Sequence, residues 1–330
     1  MATYKGEKGF TIQTIAGDPP APILGQVWYN TTSNVLKGYA SVAGAWASGG
    51  DYPTTQSDFT GAGTTTAAVA WGGETPPRQL TSTYDGTSWT TSSPLNYPTD
   101  VVTQAGFGLQ TAAISAGGYV SGVVNTSSLF NGSTWSGIPN MNTTRQQLQG
   151  IGTATAGLIF GGWLRPGGSS ATEEYDGTCW ASTGNLGTST REGAQHIGTQ
   201  TAGIAVAGGT TTALIPVVQE YDGATWSDLP AVLNTSRFRA GGSGTSTDAI
   251  VFGGATIDGP VPAPVVRKGL TESFNGTSWT EIADLATARS NSGTAGTTAT
   301  SALCIAGLTE PQLVTEEWTV ANAAKTVTVS

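Results

Sequence analysis

Charge is scarce in this chain. Only 11% of its 330 residues are Asp, Glu, Lys or Arg, against about a quarter in an ordinary soluble domain. Thirteen Lys and Arg stand against 22 Asp and Glu, a net charge of −9. The cations are scattered, so no basic face is available for a phosphate backbone, and nucleic acid is not an expected partner. The same balance disfavours an anionic membrane surface. No apolar run approaches the roughly 18 residues of a spanning helix, so no membrane insertion is expected. The opening MATYKGEKGF lacks the apolar stretch of a signal peptide. There is one histidine, His196, near the start of a strand. A lone imidazole without a carboxylate cluster does not make a transition-metal centre, and no cofactor is expected. The two cysteines, Cys179 and Cys304, lie far apart in the sequence. They are expected as independent buried thiols rather than a disulfide or metal pair. A chain of this length has core enough to fold without a staple.

Glycine is abundant, at 47 residues, and ten tryptophans are spread along the chain. Their placement repeats. YDGTSWT (84–90) returns as FNGSTWS (130–136), YDGTCWA (175–181), YDGATWS (221–227) and FNGTSWT (274–280). The tryptophans Trp89, Trp135, Trp180, Trp226 and Trp279 recur at intervals of about 45 residues, and Trp46 in GAWASGG extends the series backwards. A second marker, an apolar run closed by paired glycine, precedes each heptad: AAVAWGG (67–73), AAISAGG (112–118), GLIFGG (157–162), GIAVAGG (203–209), AIVFGG (249–254) and the weaker ALCIAG (302–307). A third, a Gly-Thr turn such as GTTTAA (63–68) or GTATAG (152–157), comes before that.

Each unit therefore reads as four short strands. An inner strand ends at the Gly-Thr turn, and a second ends at the glycine pair. After a loop of variable length, a third strand ends at Tyr or Phe. An Asp-Gly or Asn-Gly turn then leads to an outer strand carrying Trp. Such dipeptides suit a two-residue type I′ hairpin, which needs positive φ at both central positions. The aromatic and the Trp across the turn pair on neighbouring strands. A lone four-stranded sheet cannot bury both faces, whereas like sheets packed around an axis can, which is why the unit must recur.

The glycine pair, aromatic and Trp at this period resemble the kelch repeat of β-propellers, over nearly the whole chain. The resemblance implies an all-β kelch-like propeller, one domain over 1–330, with 49–330 as six clear repeats and 1–48 as a divergent N-terminal blade or an attachment arm. The expected count is seven four-stranded blades. In it FTIQTIAG (10–17), GQVWYN (25–30), NVLKGY (34–39) and GAWAS (44–48) form the extra blade, while VTEEWTV (314–320) and KTVTVS (325–330) supply the last two strands of the final one. The alternative is six blades closed by the strand of Trp46, with residues 1–37 as an arm.

Enzymatic readings of that family find little support in the residues. Copper chemistry of the galactose oxidase kind needs several imidazoles, and this chain has His196 alone. The Asp-box of sialidases differs by one residue of spacing, and Asp85, Asp176 and Asp222 are the turn residues of equivalent hairpins, so they do not converge as paired acids would. Arginine recurs as Arg145, Arg191, Arg237 and Arg289, with glutamate at Glu173 or Glu174, Glu220, Glu272 and Glu316 or Glu317. Two readings stand: a structural ion pair between blades, or a ring of charge on the central channel, broken where Thr54 and Thr99 occupy the arginine's place.

With four antiparallel strands, the Gly-Thr and Asx-Gly turns share one face, and the diverse loops after each glycine pair share the other with the links between blades. Uniform turns opposite diverse loops are the pattern of a binding surface on a rigid scaffold. The candidate ligand residues on that face are Trp163, Arg165, Arg78, Tyr119 and Arg267. Trp163 either stacks on a sugar ring beside Arg165 or packs against its own loop. The repeat dialect (TEEYDGTCW, GTQTAG, LNTSR) resembles kelch-like virion proteins of marine bacteriophages, and GQVWYNTTSNVLKGY resembles a hairpin of phage tail and fibre proteins. That resemblance implies a non-enzymatic protein of the virion surface, on tail or capsid, contacting other virion proteins and binding host-surface glycan or protein. The alternatives are a purely structural decoration or connector subunit, and a carbohydrate-active enzyme.

Overall fold

A computed structural model describes residues 12–92, 101–164, 167–188, 197–209, 214–257, 264–309 and 313–327. Every regular element among them is a β-strand. The chain divides into two compact units, 45–319 and a smaller one made from 1–44 with 320–330. The expected boundary at 48–49 therefore falls at Gly44, and the end of the chain joins the beginning instead of completing the last repeat.

The large unit holds six four-stranded sheets. In the first blade Thr60–Thr64, Ala67–Trp71, Thr81–Tyr84 and Trp89–Thr91 pair antiparallel in sequence order. The inner strands Thr60–Thr64, Ala105–Leu109, Gln149–Thr153, Ile197–Thr199, Gly241–Gly244 and Gly293–Thr298 neighbour one another in that order, and the last returns to the first. The ring closes at six, which corrects the count of seven. Closure comes from the strand of Trp46: Ala45–Ser48 pairs with Thr315–Thr319, placing Trp46 opposite Trp318 as the outer strand of the sixth blade. The segment expected there, KTVTVS, does not supply it: Asn322–Thr326 pairs with Val35–Ser41 in the small unit, and 328–330 lie outside the described residues. The small unit is a sheet of its own, in which Gln13–Ile15 runs parallel to Val27–Asn30, and Val27–Asn30 forms the expected hairpin with Val35–Ser41.

The repeated heptad makes a different turn from the one its dipeptide suggests. Tyr84 stands opposite Trp89, so the loop has four residues. Asp85 is not in the left-handed region; only Gly86 is, at φ +93°. Asp85 Oδ1 instead accepts the backbone N–H groups of Thr87 and Ser88, each at 2.8 Å. Asn131, Asp176, Asp222 and Asn275 do the same in the next four blades. The side chain, not the turn type, satisfies the loop backbone. These hydrogen bonds hold Asp85 and Asp222 below the usual carboxylate range, and at Asp176 the Thr178 hydroxyl adds the largest share.

Tryptophans tie each blade to its predecessor. The rings pair within the blade, as Tyr84–Trp89 at 4.9 Å and Phe130–Trp135 at 5.1 Å. The indole N–H then crosses to a threonine at the start of the third strand of the blade before: Trp89 to Thr315 at 3.1 Å, Trp135 to Thr81 at 3.0 Å, Trp226 to Thr172 at 3.0 Å and Trp46 to Thr271 at 2.9 Å. Trp135 and Trp180 are buried, whereas Trp46 and Trp226 are half-buried.

The three described arginines of the series are structural, and Arg191 lies outside the described residues. Arg145 pairs with Glu173 at 2.9 Å, Arg237 with Glu272 at 2.5 Å and Arg289 with Glu316 at 2.5 Å, all fully buried. Each carboxylate also accepts two backbone N–H groups from the link between blades, those of Asn142 and Thr143, Asn234 and Thr235, and Ala286 and Thr287. Burial pulls the guanidinium pKa of Arg145 and Arg237 down, and the paired glutamate opposes it. The carbonyls of Arg145 and Arg289 receive the N–H of the second glycine of a pair, Gly118 and Gly254. The residues whose carbonyls do this in the first two blades are Gln56 and Val101. They occupy the arginine's place, two residues after the expected Thr54 and Thr99, the latter outside the described residues. Where the arginine is missing the glutamate is missing too, since Ser82 and Ser128 stand at its position. Register also replaces Glu220 by Gln219 as the fourth blade's equivalent. Among the described residues of the series, none forms a ring of charge facing the channel.

Candidate functional site at the loop-side mouth of the ring axis

The Gly-Thr and Asx-Gly turns do share a face. A methyl group on Gly86, Gly132, Gly177, Gly223 or Gly276 would touch Thr66, Thr111, Thr155, Thr201 or Thr247 of the same blade. The inner strands begin at the opposite face, and the residues two positions before five of them form an unexpected collar. Asp58, Thr103, Gln147, Arg239 and Asn291 all lie in the left-handed region, with φ between 53° and 58°. Their backbones link head to tail around the axis. Asn291 N–H donates to Arg239 O at 3.1 Å, Asp58 N–H to Asn291 O at 3.1 Å, Thr103 N–H to Asp58 O at 3.0 Å and Gln147 N–H to Thr103 O at 2.7 Å. In sequence each stands two residues after the arginine position, and the corresponding residue of the fourth blade is Gly193, outside the described residues.

This conformation is natural for Asn and Asp, but for a β-branched residue such as Thr103 it is a true outlier. Strain of this kind persists where the surroundings impose it, and here the belt of backbone hydrogen bonds does so. The five side chains line a depression of about 90 Å³ at the axis, with Phe59, Thr60, Gln104, Leu148 and Gln149 among its walls. That is room for several water molecules or a few ligand atoms, so a larger ligand would rest on the collar and dip one group into it. Asn291 Nδ2 donates to Asp58 Oδ1 across the rim. The Arg239 guanidinium lies over the Phe238 ring at 5.2 Å, a cation–π contact that holds the charge at the mouth. The collar thus offers a cation, a carboxylate, two amides and a hydroxyl from five blades.

The residues proposed from sequence do not converge on that depression. Trp163 opens a small hairpin, Trp163–Leu164 with Gly167–Gly168. Its backbone exchanges hydrogen bonds with Gln146 at 2.7 and 3.1 Å, and its side chain is half-buried. Arg165 lies outside the described residues, as do Arg191 and His196. Arg78 is turned back on its own loop, with Nε donating to Glu74 O at 2.8 Å. Tyr119 is half-buried and bridged through its backbone to Val102 and Val123. Arg267 ends the strand Val265–Arg267 with its side chain exposed. These four are on loops of four different blades, and none lines the axial depression. The collar itself had a sequence signal: a glycine at 193 and Asp or Asn at 58 and 291, the residue types that tolerate positive φ, in register with one another.

The cysteines are both free, but only Cys304 is buried; Cys179 is exposed. It sits in an Asx turn, where its N–H donates to Asp176 at 2.8 Å. Among the described residues no His, Cys, Asp and Glu group is arranged to hold a metal ion.

No family model matches the chain, and no curated protein sequence matches it. The solved structure of YjhT, a kelch-like β-propeller, superposes with a TM-score of 0.68 at 13% identity, covering 83% of this chain and 99% of that one. At that identity the likeness is one of fold.

Proposed function

We propose that this kelch-like propeller is a non-enzymatic binding protein that takes its ligand on the loop face, centred on the mixed polar rim that the collar offers at one mouth of the axis. The observation that carries this reading is the collar: five unlike polar side chains held in a strained backbone conformation around one opening. Scaffold needs would be met by glycine at each of these positions. The diverse loops that surround the mouth extend the contact area. A catalytic role would need groups converging on a reacting atom; the collar offers one carboxylate, and that is hydrogen-bonded to Asn291.

The resemblance of the repeats and of the N-terminal hairpin to bacteriophage proteins supports a place on the virion surface, with a host-surface glycan or protein as ligand. The test is a glycan array probed with the intact chain, alongside Arg239→Ala and Gln147→Ala. Binding by the parent chain that both variants weaken is expected. Binding untouched by either variant would move the site off the axis, and turnover of a bound polysaccharide would replace the reading with an enzymatic one.

A further inference from the structure

The loop face of the propeller carries charges of both signs, whereas the turns of the opposite face carry carboxylates alone among the described residues. Every Lys and Arg described in unit 45–319 lies in a loop after a glycine pair or in a link between blades: Arg78, Arg145, Arg237, Arg239, Arg267, Lys268 and Arg289. The turns of the opposite face contain none. They carry Asp85, Asp176 and Asp222 in the Asx turns and Asp248 in a Gly-Thr turn, with Glu174 and Glu317 at the turn-side ends of their strands. The Arg145, Arg237 and Arg289 cations are buried and neutralised by their own glutamates.

At the axis of the same acidic face there is a second opening of about 200 Å³. Its walls are apolar or uncharged, with Ala62, Phe107, Ile151 and Ala295 inside a rim of Gly-Thr turns. Phe107 and Ile151 are held there by glycines of the next blade. A methyl group on Gly157 would lie 2.3 Å from Phe107, and one on Gly203 would lie 2.5 Å from Ile151. The pit is therefore a fixed feature of the ring.

We propose that this turn face is the mounting surface of the protein, docking onto a protein partner that presents lysine or arginine around an apolar side chain, the apolar group entering the axial pit. Charge complementarity selects the partner. The carboxylates of the surrounding turns repel nucleic acid and anionic lipid alike. Asp85, Asp176 and Asp222 sit on separate blades, each accepting its own turn backbone, and Glu174 and Glu317 accept the hydroxyls of Tyr221 and Tyr84, so these carboxylates do not gather around one metal ion. The same carboxylates repel the turn face of a second copy. Repetition adds to the fit: five Gly-Thr turns and the Gly108–Thr111 turn of the second blade present similar small and hydroxyl-bearing chemistry, with Asp248 as their one charge. The inference is independent of the loop-face ligand, and it leaves that face outward.

The experiment uses the full chain and, as probe, a synthetic peptide with a Leu-Phe pair flanked on each side by two lysines. Controls replace the lysines by glutamates or the Leu-Phe pair by Gly-Ser. The methyl resonances of Ile151, Ala62 and Ala295 report on the pit. The lysine peptide is expected to shift them and to bind more weakly as salt rises, because exposed charge pairs are screened beyond about 10 Å at 0.1 M. Asp85→Asn/Asp176→Asn/Asp222→Asn is expected to weaken binding roughly tenfold through lost charge complementarity. That variant should fold, because Asn131 and Asn275 already make the same turn. Thr199→Trp, which places an indole at the pit rim, is expected to abolish the Ile151 shift.

Equal binding of the glutamate peptide, or shifts confined to the loop face, would overturn the proposal. Light scattering that shows the chain alone stacking into oligomers, dispersed by the triple asparagine variant, would overturn it in favour of the arginine-bearing loops of a second copy as the occupant. A silent glycan array leaves these readouts unchanged, so the two proposals fail separately.

Discussion

Trp279 packs with Val218 in one apolar cluster, and its indole N–H is buried without an acceptor. Val218 occupies the place where Thr81, Thr172, Thr271 and Thr315 receive the indole of the following blade. The valine removes the acceptor and leaves the donor. Val218→Thr is nearly the same size and is expected to stabilise the ring by about 1 kcal/mol, the usual net value of a hydrogen bond supplied to an orphaned group. Denaturant midpoints of the two chains check this. An unchanged or lower midpoint would mean that desolvating the new hydroxyl outweighs the bond.

The three arginine–glutamate pairs are expected to behave as buried ion pairs rather than surface ones. Glu316→Gln leaves the Arg289 guanidinium without its carboxylate and turns an amide toward the Ala286 and Thr287 N–H groups. Breaking such a pair costs about 3–5 kcal/mol, whereas a surface pair would cost less than about 1 kcal/mol. Equilibrium unfolding distinguishes the two ranges.

Acid should loosen the Asx turns. Asp85, Asp176 and Asp222 titrate below their ordinary range in the folded chain. Unfolded, they would titrate near about 4. Their contribution is therefore present above that value and is lost as pH falls through the depressed folded pKa values. The thermal midpoint is expected to hold from neutrality to about pH 5 and to decline below about pH 4. Asp85→Asn/Asp222→Asn, which retains the acceptor oxygen without the titration, should decline less steeply. Parallel curves for parent and variant would separate the turns from the acid response.

Much of this architecture can be read from residues that repeat. The heptads, glycine pairs and Gly-Thr turns locate the strands of six sheets and sort the loops onto two faces, because each marks a local backbone demand. The blade count is not local. Nothing around Ala45–Ser48 says that it will close the sheet of Thr315–Thr319, so an arrangement with a seventh blade reads equally well. Turn type was nearer the surface: the four residues between Tyr84 and Trp89 are too many for a two-residue loop if the rings are to face each other. The link lengths before the inner strands vary, which placed the arginine equivalents two residues early at Thr54 and Thr99; only the carbonyls of Gln56 and Val101, bonded to Gly307 and Gly73, fix the register. The collar is faint in the sequence because its members share a backbone conformation and not a side chain.

The cysteines should separate by reactivity. Cys304 is fully buried, and burial pushes its thiol up to about 11. Cys179 is exposed. A thiol reagent at neutral pH is expected to label one site on the folded chain and two after denaturation, because the thiolate is the reacting form and access gates it. Labelling of both sites in the native state at similar rates would show that the sixth blade opens readily. That blade is the one closed by strands from opposite ends of the unit.

The collar makes the most direct test of strain held for binding. Thr103 at φ +58° carries the penalty of a β-branched residue in the left-handed region. Thr103→Gly removes it, at the expense of a freer unfolded chain that offsets about 0.4–1 kcal/mol. Left-handed strain is worth about 1–2 kcal/mol per residue, so the glycine variant is expected to be the more stable by roughly 0.5–1 kcal/mol. The Thr103 N–H bond to Asp58 O and the Gln147 N–H bond to Thr103 O survive the change, since both are backbone bonds. If the side chains of the collar are present for a ligand, the stabilised variant binds more weakly to whichever array glycan the parent chain selects. Gain of stability with undiminished binding would leave the threonine without a role at the mouth, and loss of stability would mean that its side chain supports the belt itself.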